Sequence, residues 1–137
     1  MSIEENKNIV RRYQKIYNSN DLEALSEVVS EDLLTPKIMP GIPAGIEGAK
    51  TAHQIMLAGF PDYQTAIDDL IAEGDKVVAR ITMSGTHTGS FMGIPPTGKR
   101  ISFTGMYIAR IDDGKIVEHW GEEDGVSLLQ QLGVLSL

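Results

Sequence analysis

The segment EHWGEEDG, residues 118–125, gathers four acids, a histidine and the only tryptophan of the chain into eight positions. Carboxylates and an imidazole at this density suit acid and base catalysis, and they equally suit the hydrated end of a strand that runs into a helix. Two further histidines, His53 and His87, stand far away in the sequence. No HxxxH or HxH spacing joins the three, so no metal is expected. The absence of cysteine excludes disulfides, thiolate nucleophiles and cysteine-ligated metals. Proton transfer by histidine, carboxylate and tyrosine remains, and its feasibility depends on which of these side chains share a face.

The chain has 137 residues, enough for one core, and a single domain spanning 1–137 is expected. Hydrophobic residues make up 42% and charged residues 23%, both ordinary for a globular protein. No apolar run is long enough to span a bilayer. The opening MSIEENKNIVRRYQ is charged throughout and lacks an apolar export core, so a soluble, cytoplasmic protein is expected. Twelve basic residues stand against nineteen acidic ones, a formal net charge of −7, and no basic stripe gathers the cations. Nucleic acid and membrane are therefore not expected as partners.

The first half carries helical periodicity and the second half strand periodicity, which makes the class α+β. Ser2 and Glu5 have capping-box spacing, and Ile3, Ile9, Val10, Tyr13, Ile16 and Tyr17 continue as an apolar helical stripe. Asn18-Ser19-Asn20 breaks that helix. Asn20 with Glu23 repeats the capping signal ahead of Leu22, Leu25, Val28 and Val29, which predicts a short second helix. Residues 36–48 are rich in Pro and Gly and read as a loop with one short strand, followed by a third helix at about 47–59. From Asp62 the period approaches 2: two strands join at Glu73-Gly74-Asp75, with Val77, Ala79, Ile81 and Met83 on one side. A third strand runs from about Ile101 to Ile111 and a fourth from Lys115 to about Gly121, before a final helix in VSLLQQLG that Gly133 ends.

The turn between the last two strands decides the pairing. A loop of Asp113-Gly114 pairs residue 111 with 116 and sets Tyr107 opposite Trp120; a loop of Asp112-Asp113-Gly114 pairs 111 with 115 and sets Tyr107 opposite His119. The three-residue loop is favoured, because Gly114 sits where it needs a positive φ. That register places Phe103, Gly105, Tyr107 and Ala109 on one face with Val117, His119 and Gly121, and sets Gly105 across from Gly121. Met106, Ile108, Arg110, Glu118 and Trp120 take the other face.

The string HTGSFMGIPPTGKRISFTGMYIARIDDGKIVEHW, followed by LLQQLG, resembles the SnoaL-like polyketide cyclases, also called ester cyclases. The order of helices and strands in the rest of the chain fits them as well. The resemblance implies the cone-shaped α+β fold of the nuclear transport factor two-like (cystatin-like) superfamily, a curved, mostly antiparallel sheet wrapped around N-terminal helices with a deep apolar pocket. It implies an intramolecular aldol condensation that closes a ring of a polyketide ester, without metal or cofactor. The family's catalytic Asp, two residues beyond the His of the V-E-H triplet, corresponds to Gly121; its catalytic His, three residues before the Arg of R-I-x-DGK, corresponds to Tyr107. Both catalytic side chains are thus replaced.

Tyr107 and His119 are the candidate catalytic pair, the phenol as an enolate stabiliser and the imidazole as a base hydrogen-bonded to it. Glu122 and Glu123 read chiefly as solvated acids at a strand end, with a displaced base as the sharper alternative, and Asp124 as a helix N-cap. Tyr13, Tyr17, Met39, His53, Met56, Phe60, Met83, His87, Phe103, Gly105 and Gly121 are the candidate pocket residues. A hydrophobic small molecule is the expected ligand, and a non-catalytic binder on the same fold is the alternative to an enzyme. The apolar outer face with Met106, Ile108 and Trp120 predicts a homodimer.

Overall fold

The computed structural model describes residues 1–36 and 40–136. Helix α1 (Ile3–Ser19) opens with both arms of the predicted capping box, the Ser2 side chain accepting from the Glu5 amide and the Glu5 carboxylate accepting from the Ser2 amide. Its apolar stripe is buried at Val10, Tyr13, Ile16 and Tyr17, and Gln14 is buried with them. Asn20 ends the helix in the left-handed conformation, φ 62°, a role a short polar side chain tolerates.

Asn20 therefore closes one helix and does not start another. The predicted second helix is a 3₁₀ segment, Leu22–Glu27, whose first residue is preceded by Asp21 without a side-chain cap. Val28 and Val29, expected in that helix, are instead fully withdrawn from solvent, and Val29 opens strand β1 (Val29–Leu34). β-Branched residues favour the sheet, and the pairing available to β1 outweighs the weak capping signal. Helix α2 (Gly45–Gly59) follows.

Strands β2 (Gln64–Glu73), β3 (Lys76–Thr86), β4 (Arg100–Asp112) and β5 (Lys115–Glu123) complete one five-stranded sheet in the order β1-β5-β4-β3-β2. All neighbours pair antiparallel except β1 with β5. The sheet curves around α1 and α2, and its concave face carries the core: Val77, Ala79, Ile81 and Met83 on β3 meet Phe103, Tyr107 and Ala109 on β4. Helix α3 (Gly125–Leu132) is capped by Asp124, which accepts from the Ser127 amide, and Gly133 ends it at φ 83°. Gln131 clamps α3 to β4 by bonding both the amide and the carbonyl of Ser102.

The β4–β5 turn differs from the expected one. Ile111 pairs with Ile116 and Asp112 with Lys115, so the loop is the two residues Asp113 (φ 49°) and Gly114 (φ 77°). Two consecutive positive φ values match the tight hairpin turn whose twist suits its strands. One step further, Arg110 lies opposite Glu118, leaving Val117 as an extra residue in a bulge. The bulge restores the alternation that the shorter loop would have reversed. Tyr107 consequently faces Gly121, and Ala109 faces His119. The expected partition of faces stands, reached by another route, while Gly105 lies across from Glu123 and not from Gly121.

Candidate functional site

Between the concave face of the sheet and the two long helices lies a cavity of about 490 Å³. All four tyrosines of the protein line it, together with His53 and His119. Their rings form a continuous wall. His119 stacks on Tyr107 at 4.5 Å between centroids, and Tyr107 lies 6.0 Å from Tyr13. Tyr13 meets Tyr17 edge-on at 4.8 Å, Tyr17 lies 4.7 Å from His53, and His53 lies 5.9 Å from Tyr63. Edge-on and offset contacts of this kind hold rings in fixed orientation, so the wall is preorganised.

The sequence explains why these rings converge. Tyr13 and Tyr17 are one helical turn apart on α1 and project toward the sheet. Tyr107, on the inward alternation of β4, receives them from the other side. The Tyr107 hydroxyl donates to Gln14 Oε1 at 3.0 Å, a buried bond between groups 93 positions apart. The expected Tyr107–His119 hydrogen bond is replaced by ring stacking. Gly121 leaves space beside the imidazole: a Cβ there would approach His119 Cε1 at 3.3 Å.

Electrostatics follow from burial. Loss of water raises the pKa of Tyr13, Tyr63 and Tyr107, and pushes that of Tyr17 up to about 12, so all four phenols keep their protons near neutrality. Burial lowers His119 to about 4, and a hydrogen bond to its own backbone opposes this only weakly. His53 shifts down for the same reason, its Nε2 lying 3.0 Å from Asn20 Oδ1. Glu123 moves the other way, its carboxyl raised by partial withdrawal from water. The cavity thus combines neutral imidazoles, neutral phenols and one rim carboxyl with a raised affinity for its proton.

Of the expected site residues, Tyr13, Tyr17, His53, Met56, Met83, Phe103, Tyr107, His119 and Gly121 line the cavity. Phe60, His87 and Gly105 do not. Phe60 is fully buried between His87 and Phe91, and His87 holds the 87–99 turn, its Nδ1 within 2.9 Å of Thr97 Oγ1. Gly105 allows close strand approach, since a Cβ there would lie 2.9 Å from the Glu122 carbonyl oxygen. Met39 lies outside the described residues. Gln14, Tyr63, Thr65, Glu122 and Glu123 line the cavity without having been expected there, and Met106, expected on the outer face, also borders it. Glu123 was legible in principle, because it shares the alternation of His119 and Gly121 once β5 is drawn two residues longer. Among the described residues, no group of three or more His, Asp or Glu converges as metal ligands would.

This chain matches the family model of the SnoaL-like polyketide cyclases over residues 7–132. It belongs to that family. Aklanonic acid methyl ester cyclase DauD of Streptomyces sp. (strain C5) is 29% identical over 129 residues, covering 91% of this chain and 80% of the relative. The nogalonic acid methyl ester cyclase of Streptomyces nogalater is 30% identical over 119 residues, covering 85% of this chain and 89% of the relative. Among solved structures, TsrD from Streptomyces laurentii superposes with a TM-score of 0.89 at 33% identity, covering 98% of this chain and 99% of that one. The family fold, an α+β arrangement with N-terminal helices against a curved sheet, is the one described above. Among the described residues no helix is long and apolar enough to cross a membrane.

Proposed function

We propose that this protein is a cofactor-free acid/base catalyst of the polyketide-cyclase type, acting on a hydrophobic carbonyl metabolite by aldol condensation or a related proton transfer. The carrying observation is the ring wall: neutral phenols and a neutral imidazole in one apolar cavity, on the face where the family resemblance puts its catalytic pair. On this reading Gly121 and Tyr107 replace the family's Asp and His, and Tyr107 and His119 serve the substrate. A buried phenol stabilises a developing enolate by hydrogen bonding without itself ionising. Turning the Gln14 amide end for end would free the Tyr107 proton for a ligand oxygen, with the amide nitrogen then donating to the phenol. Tyr13, Tyr17, His53, Met56, Met83 and Phe103 would hold a flat apolar body against the wall.

The same reading has the whole chain act as one domain in the cytoplasm, as a homodimer that covers the outer sheet face at Met106, Ile108 and Trp120, which are 53%, 40% and 49% exposed. The test begins with a thermal-shift screen against aklanonic and nogalonic acid methyl esters, the compounds that the relatives' names give them. Native-state binding raises the melting temperature, and chromatography then shows whether the bound ester is converted. Conversion supports the catalyst; a shift with the ester recovered intact supports a binding protein on the same fold.

A further inference from the structure

The position opposite Tyr107 carries no side chain, yet the cavity is not without a carboxylate. Alternation along β5 sends His119, Gly121 and Glu123 to the concave face, opposite Ala109, Tyr107 and Gly105 respectively. Glu123 thus stands two residues, roughly 6.6 Å of strand, beyond Gly121. Gly105, its partner across the ladder, makes room for it: a Cβ there would lie 3.3 Å from Glu123 Cγ. The strand end is fixed, since the Asp124 amide bonds the Thr104 carbonyl at 2.9 Å and the Asp124 side chain caps α3.

The geometry assigns Glu123 as the general base of this cavity, its carboxylate standing in for the side chain that Gly121 lacks. The assignment rests on the proton-transfer reading above and goes beyond it. The Tyr63 phenol, just before β2, interacts with Glu123 electrostatically, and the other titratable groups lining the cavity are Glu122, Tyr107 and His119 on β4 and β5 and Tyr13, Tyr17 and His53 on the two helices. No lysine or arginine is among the described lining residues to hold the carboxyl ionised. Glu123 stays exposed at the cavity rim, and its partial withdrawal from water raises its proton affinity, the direction that strengthens a base. Glu122, next in sequence, also borders the cavity but has the opposite strand parity, across from Met106.

In an aldol ring closure the Glu123 carboxylate takes the proton from the carbon beside the ester, and the C–H electron pair delocalises onto the carbonyl oxygen as an enolate. The enolate carbon then bonds to the second carbonyl carbon, and that carbonyl's oxygen receives the proton back from the Glu123 acid. No oxidant, reductant or co-reactant is consumed.

The test uses 5-nitrobenzisoxazole, a flat apolar carbon acid unrelated to the family's esters. A base removes its C3 proton, the electron pair completes a nitrile, and the N–O bond breaks to a coloured cyanophenolate. Wild type is expected to accelerate this elimination over buffer, with a rate that climbs through an apparent pKa above the ordinary carboxylate range. Glu123→Gln should reduce the acceleration by at least about tenfold with an unchanged melting temperature, and Glu123→Asp should keep part of it. Equal rates for wild type and Glu123→Gln, a loss that follows Glu122→Gln instead, or no acceleration by wild type would each overturn the assignment. Elimination that depends on Glu123 in a protein that leaves both methyl esters intact keeps the base and discards the cyclase reading.

Discussion

The two faces of the β4–β5 hairpin interleave residue by residue and have opposite surroundings. Inward, Tyr107 lies buried and His119 half-buried, stacked beneath Tyr13, with their charged forms suppressed. Outward, Met106, Ile108 and Trp120 stay exposed, and Arg110 forms an ion pair with Glu118 at 3.1 Å. The Arg110–Glu118 pair is hydrated and adds little stability, whereas every inward polar group alters what the cavity does. His119 and Trp120 are sequence neighbours, and only the pairing register separates a candidate catalytic ring from a surface one. The Val117 bulge supplies that register.

The sharpest way to break the comparison is to place one substitution on each face. Ala109 is fully buried opposite His119, so Ala109→Arg should cost more than about 3 kcal/mol, whereas Thr104→Arg, at an exposed position of the outer face, should cost less than about 1 kcal/mol. Urea unfolding of the two variants measures both.

Lower in magnitude is the pH dependence of the inner face. The folded value of His119, about 4, lies below its ordinary 6.5, so the folded protein binds fewer protons than the unfolded chain between these values. This contribution is fully present above about pH 6.5 and is lost as pH falls toward 4. His119→Gln should flatten the stability profile across that window by about 1–3 kcal/mol relative to wild type. Denaturant titrations at several pH values give the difference, and an unchanged slope would mean that the imidazole is not withdrawn from water. His53 shifts in the same direction and remains in both proteins, so it cancels.

Tyr107→Phe keeps the ring stack and removes the hydroxyl, leaving Gln14 Oε1 buried without its donor. The expected loss is about 1–2 kcal/mol of stability by denaturant unfolding. Turnover should fall by about 10²-fold with little change in KM, if the phenol acts mainly on the enolate. The smallest effect on the cavity belongs to Trp120→Glu on the outer face. On the proposed homodimer reading it should leave a monomer in sedimentation velocity while altering turnover less than about twofold, because Trp120 does not line the cavity.

Much of this was legible in the sequence because its signals were local and mutually consistent. The Ser2–Glu5 box, the alternation of β3, the Asp124 cap and the Gly133 terminator each report on a few neighbouring residues, and the structure agrees with each. The misreadings fell where distant pairing decides. Asn20 and Glu23 imitate a helix start, but the parallel partnership of β1 with β5 draws Val29 into the sheet. The two-residue turn and its compensating bulge cannot be separated by composition, because they shift the register in opposite directions and leave the same faces inward. Gln14 looked like an incidental polar residue on an apolar stripe until Tyr107, distant in sequence, supplied its partner. Glu123 is weighed with Glu122 as a displaced base, but with β5 ending near Gly121 the sequence favours solvated acids and does not separate the two. His87 is counted with the pocket through the family pattern, while its place at a strand end before Gly89 favours turn packing, and it does hold a turn with its ring against Phe60.

The most direct measurement of the central claim is ring closure of nogalonic acid methyl ester by the wild-type protein, beside Tyr107→Phe and His119→Ala, with binding followed by thermal shift in the same samples. The account predicts cyclised product from wild type and strongly reduced product from both variants, while the ester still raises their melting temperatures. Ester bound by all three proteins and recovered intact from wild type would contradict it.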